Sequence, residues 1–143
     1  MSNIEKVQEE AVNNYRSGKM PCSEAVLRAV LAGYAPQAAT EEVLAASRGF
    51  RGAVDFCGCL CGTLSGGIMA LGLCHATSAV KVLHESFKTA HKSTCCRVLT
   101  RGMEFNAPER KAQCVTLCGE VAGLCAELIE QKRGAVAAQN SKS

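Results

Sequence analysis

Ten of the 143 residues are cysteine, and seven of those ten are grouped. Cys57, Cys59 and Cys61 alternate within Asp55-Phe-Cys-Gly-Cys-Leu-Cys-Gly62, Cys95 and Cys96 are adjacent, and Cys114 and Cys118 lie one helical turn apart. Sulfur at this density serves as disulfides, metal ligands or redox centres, and the redox compartment selects among them. The cysteine content, about 7%, falls just below the roughly 8–10% of secreted disulfide scaffolds. The segment Met1 to Glu10 is polar and acidic, with no basic stretch leading into an apolar one, so no secretion signal is read here. The expectation is a cytoplasmic protein whose thiols stay reduced and act as ligands or redox centres.

Cys22 follows Pro21, and Cys61 precedes Gly62 and a glycine-rich apolar stretch. Both are expected at a helix N-terminus, where the backbone dipole and free N–H groups favour a thiolate. The alternative for Cys22 is a small hydrophobe packed in the core. In a fully extended run Cys57 and Cys61 stand about 13 Å apart. Gly58 lets that run fold back, which leaves all three cysteines as candidate ligands. Their spacing matches neither the zinc-finger nor the common ferredoxin patterns. Cys114, Cys118 and Cys125 share one helix face; the first two, about 6 Å apart along the axis, can serve one site. Cys125 is expected in a core stripe with Leu117, Val121 and Leu124, and Cys74 also reads as core. Cys95 and Cys96 either form a vicinal disulfide or point one sulfur inward and one outward, the second being expected in a reducing cell. His75, His84 and His91 are read as solvated, and no Cys-x-x-Cys-His run supports covalent haem attachment.

The elements that must position these sulfurs read as helices nearly throughout. Ile4, Val7, Ala11 and Tyr15 form one helical stripe, and Ser17 to Pro21 breaks it, with Pro21 fitting the first position of the next helix. An apolar helix follows from Cys22, closed by Gly33 to Pro36. Thr40 caps a short helix with acidic residues in its first turn. Residues 48–62 lack helical period and carry Gly49, Gly52, Gly58 and Gly62, so they read as a loop. A glycine-spaced helix starts near Thr63, an amphipathic one spans 76–92, a short turn surrounds Cys95 to Leu99, and a last helix covers 109–132. The fold class is therefore all-α: a single compact helical domain over residues 4–132, with about five to seven helices and a Cys/Gly-rich central loop. Residues 133–143 read as a disordered tail.

Taken in order, Met20-Pro-Cys-Ser-Glu-Ala-Val-Leu27, Cys61-Gly-Thr-Leu-Ser-Gly-Gly-Ile-Met-Ala-Leu-Gly-Leu73, Cys96-Arg-Val-Leu99 and Cys114 resemble the C-GCAxxG-C-C family of putative redox-active proteins. The resemblance runs over nearly the whole domain. It implies a site built from Cys22, Cys61, Cys96 and Cys114, with Cys118 as the alternative to Cys114. Thr63 stands where the family motif has alanine, and six further cysteines, Cys57 and Cys59 among them, exceed the family's four. The family is similar to the helical domain of split-Soret cytochromes, which implies a helical fold in electron-transfer surroundings.

The function expected from these readings is a cysteine-rich redox protein that binds an iron–sulfur cluster through Cys22, Cys61, Cys96 and Cys114 and transfers or stores electrons. Cys57, Cys59 and Cys118 are candidates for additional or substitute metal ligation. A thiol–disulfide oxidoreductase using a pair such as Cys22 and Cys61 is one alternative, and a zinc or copper(I) binding or storage protein is another. The formal charge of +3 is dispersed, which argues against nucleic acid as a partner. No apolar run approaching about 18 residues is read, so no membrane span is expected. The partner is a redox protein of unknown identity, and the small-residue face around Gly66 and Ala70 permits a homodimer without requiring one.

Overall fold

The computed structural model describes residues 1–141, and among these every regular element is helical. The helices are α1 (Asn3–Arg16), α2 (Cys22–Tyr34), α3 (Glu41–Arg48), α4 (Gly62–Leu73), α5 (Val80–His91), α6 (Cys96–Leu99) and α7 (Pro108–Ser141). Short 3-10 turns at Pro36–Ala38 and Thr77–Ala79 precede α3 and α5. The domain is all-α, as the periodicity indicates.

Local chemistry sets the helix ends. Ser2 caps α1 by accepting from the Glu5 N–H at 3.1 Å, and its hydroxyl donates to the Glu5 carboxylate at 3.2 Å, so cap and third helical residue hold each other. Thr40 caps α3 through the Val43 N–H. Pro21 stands one place earlier than the sequence pattern suggests: it is the N-cap of α2, and Cys22 is its first helical residue.

Helix α2 is the centre of the molecule, packed against α1, α3, α4 and α7. Ala25, Val26, Leu27, Ala29, Val30 and Leu31 are completely buried; each large aliphatic among them contributes about 2 kcal/mol by leaving water. Helices α2 and α4 approach closely because Gly66 faces the Ser23 carbonyl, where a methyl group would overlap the oxygen. The Ser23 hydroxyl donates to the Ser47 carbonyl at 2.8 Å, tying the start of α2 to the end of α3.

Glu24, only 3% exposed, enters the same junction as a carboxylate held by Arg28 Nε at 2.6 Å and Arg48 Nε at 2.7 Å. Burial opposes its charge, but hydrogen bonds and charge from Arg48 and Arg28 outweigh burial and hold its pKa below the ordinary carboxylate value. A depressed folded-state pKa stabilises the fold above the unfolded value and loses that contribution as pH falls through the folded one. Glu24→Gln should therefore cost about 2 kcal/mol near pH 7, less than a wholly buried pair because both arginines reach solvent. The difference from the parent protein should shrink below about pH 4, measured by urea midpoints across that range.

Helix α7 runs past the Lys132 end expected from the sequence, through the residues read there as a disordered tail. Gly134 does not break it, and Ala135, Ala137, Ala138 and Gln139 are sound helix formers. Residues 142 and 143 of that tail lie outside the described residues. An 18-residue window of α7 has a mean hydropathy of 1.4, so by length and composition this helix could cross a bilayer, contrary to the sequence reading of apolar runs. In this structure 61% of the window is buried, and Val121, Ala122, Cys125 and Ile129 of α7 pack in the core.

Candidate thiol cavity

A cavity of about 580 Å³ opens where the C-terminus of α1, the starts of α2 and α4, α6 and the first half of α7 meet. Cys22, Cys61, Cys96 and Cys114 all line it, each contributed by a different helix or helix cap. Four segments far apart in sequence thus deliver four cysteines to one cavity. Among the described residues the lining also includes Lys19, Arg51, Arg110 and Lys111, and no carboxylate.

The placement of each sulfur has a local cause. Cys22 opens α2, and the absence of a side chain at Gly62 makes room for it: a Cβ there would stand 2.6 Å from the Cys22 Sγ and 3.2 Å from the Phe50 carbonyl oxygen. Cys61 is the N-cap of α4, so its sulfur faces the free N–H groups of Thr63 and Leu64, and the Thr63 hydroxyl lies 3.1 Å away. The segments bearing Cys61 and Cys96 run side by side, joined by Cys61 N–H to the Thr94 carbonyl at 2.7 Å and Arg97 N–H to the Gly58 carbonyl at 3.0 Å. Gln113 of α7 then donates to the Leu99 carbonyl at 2.6 Å and fixes α6 over the cavity. Arg110 reaches Cys96 with one guanidinium nitrogen at 3.6 Å and the Phe105 carbonyl with another, while its Nε stays buried and unpartnered. The Tyr15 hydroxyl stands close enough to Cys114 to favour its charged form.

Helix N-termini do place donors at Cys22 and Cys61, as their positions after Pro21 and before Gly62 suggest, but these donors do not make either a free thiolate. Burial, then the neighbouring Cys61, Cys114 and Cys96 sulfurs, push Cys22 far above the ordinary thiol range against a single opposing Ser23 N–H. Burial also raises Cys61, against Thr63 and Leu64, and Cys114, against Tyr15 and Arg110. Desolvation outweighs the dipole because the sulfurs lie inside the fold and share each other's field. The free protein therefore keeps Cys22, Cys61 and Cys114 as neutral thiols.

The remaining cysteines separate clearly. Cys118 is completely buried behind the wall, close enough for its charge to be felt by Cys22, Cys114 and Cys61 but not on the cavity surface. Cys57 is exposed on the loop before α4. Cys59 is joined to Cys95 in a disulfide, so in this state it has no free thiol to offer a metal. The expectation of uniformly reduced thiols does not hold for this pair; the loop before α4 folds back against the segment before α6 and brings the two together. Cys96 and Cys95 accordingly face different ways, one to the cavity and one to the bond. Cys74 and Cys125 are core residues. Tyr15, read only as part of a helical stripe, Thr63, read only as a departure from the family motif, and Arg110 were not assigned to the site from the sequence. The hydroxyl two residues beyond a cap cysteine, and an arginine one turn before Cys114, were the available signals for two of them; Tyr15 had none.

The cavity lip is aromatic and cationic. Phe56 and Phe105, both more than half exposed, meet edge to face at 5.6 Å, with Arg51 over one ring and Arg110 over the other. Phe56 arrives there through a left-handed turn, with positive φ from Ala53 to Phe56. That conformation costs about 1 kcal/mol or more per residue, and the turn's own hydrogen bonds, such as Phe56 N–H to the Arg51 carbonyl at 3.1 Å, help hold it.

Among known proteins, no curated protein and no solved structure matches the chain. The family model described as "Putative redox-active protein (C_GCAxxG_C_C)" matches residues 20–128, well over half of the chain and all four cavity cysteines. Family membership supports a redox role for these thiols. A helical domain that gathers Cys22, Cys61, Cys96 and Cys114 from four segments into one cavity thus belongs to the C-GCAxxG-C-C family of putative redox-active proteins.

Proposed function

We propose that Cys22, Cys61, Cys96 and Cys114 hold an iron–sulfur cluster and that the protein transfers or stores electrons in the cytoplasm with a redox protein as partner. The observation that carries this reading is the cavity itself: four thiols spread around about 580 Å³, four cations, and no carboxylate in the lining. A centre bound by four thiolates is anionic, and such a lining suits its charge. Among the described residues no three Cys, His, Asp or Glu side chains stand close enough to hold a single metal ion. A lone zinc or copper(I) ion needs every sulfur about 2.3 Å from one point, whereas a group of several metal atoms takes its thiolates further apart. A thiol–disulfide pair at Cys22 and Cys61 has less support, because burial keeps both thiols neutral and poorly nucleophilic.

When bound, the cluster would supply one-electron redox chemistry. The chain's own part is to release thiol protons on ligation and to set the surroundings of the sulfurs. Arg110, Tyr15, Thr63 and the Ser23 N–H each direct a donor at a different cavity sulfur, and donors of this kind adjust both affinity and potential. Protein purified without exposure to air should contain iron and acid-labile sulfide and show broad visible absorbance that bleaches on reduction. Zinc or copper in place of iron would favour the storage reading, and protein free of all three metals would end the metal hypothesis.

A further inference from the structure

We infer that Cys59 and Cys95 form a second redox centre, a reversible disulfide that accepts two electrons from a dithiol and whose state sets how tightly Cys61 and Cys96 are held. The bond joins residues 36 apart in sequence, and each partner sits beside a cavity thiol: Cys59 two residues before Cys61, Cys95 immediately before Cys96. Apart from this bond, the two segments are joined by the backbone hydrogen bonds from Cys61 to Thr94 and from Arg97 to Gly58. The disulfide is the covalent clasp on that pair of segments.

Both half-cystines are half-buried, so a reductant can approach, whereas the cavity thiol Cys61 is buried at 4% exposure. The aliphatic stem of Arg97 packs over Gly58, next to Cys59, so α6 is held against the half-cystine's own segment by side chain as well as backbone. One thiolate of the dithiol attacks a sulfur of the Cys59–Cys95 bond; that bond breaks, the other cysteine leaves as a thiolate and takes a proton, and a mixed disulfide forms. The reductant's second thiolate attacks the mixed disulfide, releases the remaining cysteine, which also takes a proton, and closes the reductant's own disulfide. Two electrons and two protons pass to the pair, and no other oxidant or reductant is required. In a reducing compartment a disulfide persists chiefly where it is transient and serves redox chemistry, which fits this assignment.

The test is pulse alkylation of the full-length native protein with mass-spectrometric mapping, at graded concentrations of dithiothreitol. Without reductant, Cys59 and Cys95 should be recovered joined, while exposed Cys57 labels. Mild reduction should label Cys59 and Cys95 together and raise labelling of Cys61 and Cys96 by about tenfold, because their segments open locally more often; buried Cys125 should stay protected throughout. The double variant Cys59→Ser with Cys95→Ser should label Cys61 and Cys96 at the fast rate whether or not dithiothreitol is present. Labelling of Cys59 and Cys95 before any reductant is added would overturn the inference. So would a bond that resists dithiothreitol until Cys125 also labels, or unchanged rates at Cys61 and Cys96 after reduction. Labelling of Cys61 and Cys96 also depends on whether a cluster is bound, so both arms are run on protein freed of iron, where this result stands or falls apart from the cluster.

Discussion

Gly66→Ala should destabilise the protein by about 3 kcal/mol, the larger part of what overpacking usually costs, while Gly72→Ala, six residues along the same helix, should stabilise it by about 0.5–1 kcal/mol. Both substitutions gain the same helix propensity, so propensity cannot separate them. The difference lies in what the new methyl group meets. At Gly66 it meets the backbone of Ser23, whose carbonyl oxygen and carbon belong to the first turn of α2 and cannot rotate away. At Gly72 the nearest atom is the Thr77 hydroxyl at 3.9 Å, an ordinary contact. Relief at Gly66 requires α2 and α4 to separate, which loosens a buried helix contact and moves Cys22 relative to Cys61. Urea unfolding of the two variants beside the parent measures both signs. Equal midpoints would mean the two helices are not packed as closely as described.

The same contact explains why some of the architecture was legible in the sequence. Glycine spacing from Gly62 to Gly72 announces a helix against which something packs closely, and α2 is that partner. The cap at Thr40 and the stripe through Val7 and Ala11 are local signals, and local signals survive into the fold. The turn from Ala53 to Phe56 was readable only as a loop, because four ordinary L-residues in left-handed conformation carry no composition signature. The end of α7 was misread because Gly134 resembles a stop, yet nothing after it offers the left-handed cap or proline that would terminate the helix.

At the site, the resemblance to a family selected Cys22, Cys61, Cys96 and Cys114, and spacing alone would not have done so. The alternation of Cys57, Cys59 and Cys61 looks like one cluster, but the chain gives its members three fates: solvent, disulfide and cavity. Pairing of Cys59 with Cys95 depends on two loops meeting in space, which no one-dimensional pattern encodes. The sequence left Cys22 open between a thiolate at a helix start and a thiol packed in the core, for a related reason. A helix start favours the charged form, but the depth of the cavity, set by the packing of α1, α6 and α7 around it, decides the balance.

Single replacements of Cys22, Cys61, Cys96 and Cys114 by alanine should each remove most of the iron and sulfide, whereas Cys57→Ala and Cys118→Ala should leave both in place. Four ligands around one anionic centre act as a unit, so loss of any one opens a coordination position to water and oxygen. Cys57 is exposed and away from the wall, and removing its sulfur takes nothing from the cavity. Cys118 is the informative case. It lies one helical turn beyond Cys114 and feels the charge of Cys22 and Cys61, so it is the natural substitute ligand. Because it is completely buried behind the lining, its sulfur meets the core rather than the cavity. Cys118→Ala should therefore register as a packing defect of about 1 kcal/mol in urea unfolding, with metal content unchanged. The reverse pattern, iron kept by Cys114→Ala and lost by Cys118→Ala, would move the fourth ligand one turn along α7 and require the helix to rotate when the site is filled.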